Sequence, residues 1–199
     1  MGKTRKYMYT KNEMAHDIIN LMKGDFSDFI KEEVLDNILW AVTEIRDYEF
    51  SKIVPKAKYR GCKYWSGEAL KKAYGINSPT ELTSSSKYKN NNDLRHEHVI
   101  PKAVIKSYIL EYINNTILDS NELYNEILDV LNHSYGCVLT KEQASNVDKI
   151  YKDKMPSGKE DIFNPKNTWA RYKILDDDIY NVSWDLKSSS WIILKAEKN

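Results

Sequence analysis

The chain has 199 residues, which is enough for one domain of ordinary size or for one domain with an appendage. Apolar residues make up 41% of it and charged residues 30%, so we expect a buried core and a soluble surface. No apolar run is long enough to span a membrane, and the basic N-terminus lacks a signal-peptide core. Cys62 and Cys137 lack metal-ligand spacing. We therefore expect a cytoplasmic protein whose two thiols are buried.

The net charge of +1 hides an uneven distribution of charge along the chain. Residues 51–106 carry twelve basic and four acidic side chains, whereas the segments on either side carry more acidic than basic ones. A cationic segment suits a polyanionic ligand such as nucleic acid, although lysine-rich loops are also often simply solvated. The near-neutral total does not indicate strong non-specific DNA binding, which usually goes with a high isoelectric point.

Residues 1–50 predict an antiparallel pair of helices that serves as a scaffold. Thr10 and Glu13 form a capping box, and Gly24 ends the helix that follows it. The second helix covers residues 27–48. Both helices carry apolar side chains at helical spacing, namely Met14, Ile18, Leu21 and Met22 in the first and Ile30, Val34, Leu35, Ile38, Leu39, Val42 and Ile45 in the second.

Residues 51–65 form a basic and irregular segment with interleaved aromatic residues. Cations and aromatic rings in alternation suit a nucleic-acid strand, because they contact phosphates and stack on bases. The alternative is a connecting loop whose aromatic side chains pack on the core. We assign Trp65 to the core, because Ser66 can cap a short helix over residues 67–74. The basic side chains of the segment that are candidates for binding nucleic acid are Lys56, Lys58, Arg60 and Lys63.

Residues 77–93 have low complexity and contain few side chains that bury surface, so we expect a mobile loop. The loop directly precedes the principal candidate site. It is therefore either a lid or substrate clamp, or a tolerated insertion.

The stretch His96-Glu97-His98-Val99-Ile100-Pro101 is that candidate site. Its β-branched residues favour a strand over residues 94–100, and Pro101 suits the first turn of a helix over residues 101–114. Because side chains alternate faces along a strand, we expect His96 and His98 on one face and Glu97 on the other. Such a pair suits metal binding or proton transfer, whereas hydrogen-bonded core histidines are the structural alternative.

The rest of the chain predicts further helices over residues 120–132 and 141–151, a strand over 137–139 that pairs with 94–100, and a hairpin of strands 180–185 and 191–195. Asp119 and Glu122 form a second capping box, and the stretch from Thr140 to Gln143 starts helix 141–151. Gly136 ends a turn, and His133 caps a helix C-terminus. In a short helix over 168–175, Trp169 and Tyr172 belong to the core, and Arg171 is a candidate phosphate ligand or a member of a surface ion pair.

These elements predict an α+β fold that is mainly helical, with helices around a small sheet that carries the His-Glu-His strand and with a C-terminal β-hairpin. We expect one compact unit. In it, residues 1–50 form the helical pair, residues 51–175 hold the basic segment and the site region, and residues 176–199 form the hairpin.

The candidate stretch resembles the first motif of the HNH, or His-Me finger, nucleases over about six residues. Glu97, His98, Val99 and Pro101 match that motif in order. In that family the histidine is the general base for water and the acid helps to hold one divalent metal ion, which neutralises charge on the phosphate and the leaving oxygen. The resemblance implies a metal-dependent endonuclease that uses Mg²⁺ or Mn²⁺ rather than Zn²⁺, with a third site residue on the strand and helix of 136–151.

The chain departs from the family pattern in the connection of its two strands, where two helices replace a compact hairpin. The usual second asparagine and final histidine are not evident in helix 141–151, whose available polar residues are Glu142, Gln143, Asn146 and Asp148. Because side chains alternate along a strand, Glu97 also lies on the opposite face of the strand from His98. An alternative metal site therefore combines His96, His98 and Glu142, with waters completing the shell.

The chain also resembles, more loosely, the small Lys-, Asn- and Tyr-rich accessory proteins of phages and prophages. Some of those disarm host defences, CRISPR nucleases included, by binding the nuclease complex or by cutting nucleic acid such as guide RNA. Three hypotheses remain: a nuclease acting on DNA or RNA, a non-catalytic anti-CRISPR-type inhibitor, and a nucleic-acid-binding module with structural histidines. Further candidate contacts to nucleic acid are Arg95, Lys102 and Arg171.

Overall fold

A computed structural model of the chain describes residues 10–43, 59, 62–89, 92–115, 120–159, 161–185 and 187–196. Within these residues the protein has six α-helices and an open, five-stranded mixed sheet, which confirms the predicted α+β class. No described helix combines the length and the apolar character needed to cross a bilayer.

The first two helices begin and end at the predicted signals, with one shortened boundary. Helix α1 (Lys11–Lys23) starts at the Thr10–Glu13 capping box and ends at Gly24. Helix α2 (Asp28–Val42) is capped by the Ser27 hydroxyl and ends earlier than predicted, and residues 44–48 lie outside the described residues.

The sheet has the strand order β2-β3-β1-β4-β5, so β2 and β5 are its edges. Strands β1 and β3 are parallel, and the other neighbours are antiparallel. The strands are β1 (Tyr64–Ser66), β2 (Leu94–His98), β3 (Gly136–Thr140), β4 (Ile179–Asp185) and β5 (Ser190–Lys195). The predicted pairing of the His-Glu-His strand with 137–139 and the C-terminal hairpin are confirmed.

Three local predictions about the strands are wrong. Residues 64 and 65 belong to β1 rather than to an irregular segment, because they pair with both β3 and β4. Strand β2 ends at His98 instead of residue 100, since the chain bends before Pro101. Strand β3 runs from Gly136 to Thr140, one residue beyond the predicted range 137–139 at each end, and Gly136 lies opposite His98.

Four further α-helices follow in the described residues, and two of them begin at a predicted cap. Ser66 caps the first, and a capping box of Thr140 and Gln143 starts the last. Asp119, the first residue of the other predicted box, lies outside the described residues. These helices are α3 (Gly67–Tyr74), α4 (Lys102–Asn115), α5 (Ser120–His133) and α6 (Lys141–Tyr151), and residues Ala170–Ile174 form a 3₁₀ turn.

The core consists of three apolar clusters. Helices α1, α2, α4 and α5 bury their stripes together in the largest, α3 packs with Trp65 and the C-terminal hairpin in the second, and α6 covers β3 in the third. Both cysteines are buried, as predicted. Most described residues of loop 77–93 are exposed, as predicted; Pro79 and Leu82 are its buried residues, and Tyr88 packs edge-on against Tyr74.

The first prediction tests the largest cluster. Leu39 on α2 and Ile109 on α4 are both 0% exposed, so truncation of either to alanine leaves a cavity and removes buried apolar area. We expect Leu39→Ala and Ile109→Ala each to lower the free energy of unfolding by roughly 2–5 kcal/mol in urea or thermal melts. The matched control is Ile150→Ala, because Ile150 is 51% exposed. Equal melting curves for all four proteins would contradict this core.

Candidate active site

The candidate site lies at the open edge of the sheet, on strand β2. His96 and His98 face helix α2, while Arg95 and Glu97 face helix α6. The predicted alternation of the two histidines and the acid is therefore what the structure shows. A cleft of about 340 Å³ at this edge is lined by side chains from both faces of β2, from α2, from the start of α4 and from the end of α6.

The two histidines form a stacked pair against α2. Their ring centroids lie 5.6 Å apart with planes 9° from parallel, and each ring lies 5.1 Å from that of Trp40. The backbone opposite them must be glycine, because a Cβ at Gly136 would lie 2.9 Å from both His96 Nε2 and Cys62 Sγ. Glycine at position 136 therefore allows the side chains of His96 and Cys62 to lie close to the backbone of β3.

His98 is held in one orientation and one tautomer. Its Nε2 lies 3.1 Å from the Leu39 carbonyl oxygen and 3.4 Å from Thr43 Oγ1, and the Thr43 hydroxyl already donates to the Trp40 carbonyl. Because a carbonyl oxygen only accepts, Nε2 carries the hydrogen and Nδ1 is the nitrogen that can accept a proton.

The charge state of His98 follows from its surroundings. Burial lowers the pKa of His98 to about 4; the hydrogen bond to Leu39 opposes this shift, and the cations of Lys102 and Arg171 add to it. The imidazole is therefore neutral at physiological pH, which is the state that a general base needs.

On the other face of β2, the buried Glu97 lies in a group of charged side chains. Arg95 Nε is 2.6 Å from Glu97 Oε1, and Arg95 Nη2 is 2.9 Å from Asp148 Oδ2 on α6. The contact to Glu97 is close but lacks hydrogen-bond geometry, since Glu97 Oε1 accepts no hydrogen bond from any described residue. Arg171 Nη2 lies 4.0 Å from the second Asp148 oxygen.

These contacts do not fully stabilise the ionised form of the Glu97 carboxyl group. Burial raises the pKa of Glu97 to about 7; Arg95 and Arg171 oppose the shift, and the carboxylate of Asp148 adds to it. Two carboxylates that share a partly dehydrated site favour the binding of an additional cation, because it would relieve both the desolvation and the mutual repulsion.

Arg171 is buried, with 1% of its surface exposed, so its interpretation as part of an ordinary surface ion pair is wrong. Its Nη1 donates to the His98 carbonyl oxygen at 2.9 Å, to which the Tyr172 hydroxyl also donates at 3.4 Å. These bonds anchor the end of β2. Arg171 Nε has no hydrogen-bond partner among the described residues, and the side chain lines the cleft, so a role as a phosphate ligand stays a prediction.

The alternative metal site of His96, His98 and Glu142 is not assembled. Glu142 is exposed in the first turn of α6 and does not line the cleft. Among the described residues, no three His, Cys, Asp or Glu side chains form a group that could by itself hold a metal ion. Glu97 and Asp148 are the carboxylates that the fold brings together, at facing positions of β2 and α6.

The predicted basic residues are spread over several places. Lys102 lines the cleft, with its Nζ 2.6 Å from Asp36 Oδ2 and 5.7 Å from the centre of the Trp40 ring. Lys63 is exposed and borders a different, smaller pocket beside Lys11. The remaining members of the basic segment, Lys56, Lys58 and Arg60, lie outside the described residues.

The sequence hypothesis missed the role of Trp40 and did not single out Asp148. Asp148 directly follows the buried Val147, so its position at the border of the buried face of α6 was available from the helical pattern. Trp40 borders the buried stripe of α2 in the same way. Its position over the histidines depends on how α2 crosses β2, which helical periodicity does not report.

Comparisons of the chain with protein-family models, curated proteins and solved structures give no significant match. The function of the cleft is therefore inferred from its own geometry and chemistry.

The second prediction concerns Glu97 and pH. Its folded-state pKa of about 7 lies above its ordinary value of 4.5, so ionisation of Glu97 costs stability. This cost is absent below pH 4.5, grows as the pH rises between the two values, and is complete above pH 7.

We therefore expect Glu97→Gln to be as stable as the wild type at pH 4.5 and more stable at pH 8, by up to roughly 3 kcal/mol. Urea melts at several pH values measure the difference. Asp161→Asn, which removes an exposed carboxylate from a loop, is the control. A Glu97→Gln protein that is less stable than the wild type at pH 8 would show that the contact with Arg95 outweighs desolvation.

Proposed function

We propose that this protein is a metal-dependent phosphodiesterase that cleaves nucleic acid with an HNH-like site. The observation that carries the proposal is the convergence of Glu97, His98 and Asp148 on one cleft. Glu97 and His98 are the acid and histidine of the matched motif, and Asp148 supplies a carboxylate from the following helix.

The order of elements around the cleft supports the resemblance. Strands β2 and β3 are antiparallel neighbours, and α6 follows β3 without an intervening residue. Helix α6 packs on both strands. Although α4 and α5 separate β2 from β3 in sequence, they do not separate the strands in space, so the departure in the connecting segment leaves the strand–strand–helix unit intact.

The residues present fit a hard divalent cation better than zinc. Mg²⁺ and Mn²⁺ prefer oxygen ligands, and Mg²⁺ commonly uses one or two protein carboxylates while keeping several waters. Glu97 and Asp148 offer that set. Zinc prefers imidazole and thiolate ligands, and His98 Nε2 is already bonded to the Leu39 carbonyl.

Arg95 balances the two carboxylates in the structure described. Its guanidinium contacts both Glu97 and Asp148, while its side chain is 48% exposed. Because the guanidinium reaches the carboxylates from the solvent side, it can turn outward when a cation binds. It would then carry its charge toward the phosphate of a substrate.

In the proposed reaction His98 Nδ1 accepts the proton of the attacking water. The hydrogen bond from Nε2 to Leu39 holds the ring in place, and the low pKa of His98 keeps Nδ1 unprotonated at neutral pH. Arg171 and Lys102 line the same cleft and contribute positive charge for the phosphodiester. As the water attacks phosphorus, the bond from phosphorus to the leaving oxygen breaks, and that oxygen takes a proton from solvent. A divalent ion held by Glu97 and Asp148 would stabilise the charge that develops on the phosphate and the leaving oxygen.

A second candidate is a nucleic-acid-binding module in which the histidines are structural. The observation that favours it is the burial of both imidazoles against Trp40, with His98 hydrogen-bonded to the backbone of α2. This arrangement stabilises the junction of α2 and β2 whether or not the cleft is catalytic.

The third prediction separates these two candidates. With Mg²⁺ or Mn²⁺, we expect the wild type to cleave DNA or RNA, and His98→Ala to lower the rate by roughly 10²–10⁴-fold while nucleic-acid affinity is retained. Asp148→Asn should raise the metal concentration required for half-maximal rate, because it removes one of the two carboxylates.

The matched control is Glu142→Gln, which neutralises an acid on the same helix outside the cleft and should leave the rate unchanged. Each variant is checked for folding by its melting curve. A wild-type protein that leaves single-stranded and duplex DNA and RNA intact in every divalent metal would overturn the nuclease proposal in favour of the binding module.

A further inference from the structure

Trp40 is the most exposed of the five tryptophans in the chain. It is 42% exposed, whereas Trp65 is fully buried and the other three are buried or half-buried. Exposure of a large aromatic side chain costs hydration free energy, and an indole at the rim of a cleft is a frequent mark of a ligand site. Trp40 lies in the lining of the cleft that holds Glu97 and His98.

The position of the indole is fixed before any ligand arrives. The rings of His96 and His98 pack against Trp40, and the Lys102 ammonium lies 5.7 Å from its ring centre. The preceding residue, Leu39, is fully buried in the helical core, which holds this part of α2 in place. A ligand that contacts Trp40 therefore meets an ordered surface, so little entropy is lost when it stacks.

The charges around Trp40 indicate what kind of ring would stack there. Lys102 and Lys106, on the first turns of α4, line the same cleft as the indole and are each paired to Asp36, and Lys152 lines it from the end of α6. An aromatic surface next to lysines suits a ligand that carries both a flat ring and an anionic group. Together with phosphodiester chemistry at His98, that combination describes a nucleotide.

We infer that Trp40 is a stacking platform for an unpaired nucleobase, and that the substrate of this cleft is single-stranded nucleic acid. The inference rests on the proposed function and adds the substrate class to it. Inside a duplex both faces of a base are covered by its neighbours, so the base has no face to offer to Trp40. A single strand presents one base to the indole while its phosphates pass the lysines and His98.

The test measures binding without cleavage. Fluorescence anisotropy of labelled oligonucleotides in EDTA compares single strands of DNA and RNA with the matching duplexes. We expect the wild type to prefer the single strand, and Trp40→Ala to bind it roughly 5- to 150-fold more weakly. Trp40→Phe keeps a ring and should recover most of the affinity, while its melting curve shows whether the contact with the histidines survives.

Two controls separate stacking from a general loss of structure. Trp184→Phe alters a half-buried tryptophan in the C-terminal hairpin and should bind as the wild type does. An abasic nucleotide is then moved along the oligonucleotide. At the position whose base stacks on Trp40, removal of the base should weaken binding by the wild type. It should have little further effect on binding by Trp40→Ala, because both changes remove the same contact.

The inference would be overturned if Trp40→Ala weakened binding equally for duplex and single strand. It would also be overturned if the effects of the abasic position and of Trp40→Ala were additive, or if the wild type bound no oligonucleotide. Cleavage assays with Mg²⁺ keep it separate from the proposed function. A Trp40→Ala protein that still cleaves and binds single strands normally would end the stacking role and leave the nuclease intact. Trp40-dependent binding by a wild type that never cleaves would end the nuclease and leave the stacking role.

Discussion

Among the described residues, strand β2 pairs with β3 alone, and helices α2 and α6 pack on its two faces. This pairing determines which groups meet. The register sets His96 opposite Val138 and His98 opposite Gly136, so the imidazoles turn to α2 and Glu97 turns to α6. A slip of one residue would exchange the two faces and separate Glu97 from Asp148. Gly136 restricts the register further, because a side chain there would collide with His96.

The two faces give the site opposite electrostatic properties, and both arise from burial. Withdrawal from water favours the neutral form of any titratable group, so it lowers the pKa of His98 and raises that of Glu97. A neutral imidazole and a carboxylate that is poorly stabilised as an anion line one cleft from opposite faces of β2, which suits a base and a cation site. Arg95 and Arg171 offset part of the cost of burying the ionised Glu97, and the cost in stability that remains is typical of functional sites.

Much of the fold was predictable from local chemistry. The capping boxes at Thr10 and Thr140 and the alternation of residues 96–98 depend on contacts only a few residues apart, and the structure confirms them. The site was only half predictable. Glu97 and His98 come from one motif, but the choice of Asp148 over Glu142 depends on which side of α6 lies against β2. The burial of Arg171 likewise depends on a bond to His98 across 73 residues of chain.

We propose that Glu97 and Asp148 form the cation site of a phosphodiesterase. The most direct measurement is an anomalous-difference map from crystals of the wild-type protein soaked in Mn²⁺. We expect one strong peak within coordination distance of oxygens from both carboxylates, with the Arg95 side chain turned toward solvent and with no peak in Asp148→Asn crystals soaked identically. A cleft without a peak at saturating Mn²⁺, with Arg95 still bridging Glu97 and Asp148, would contradict the account.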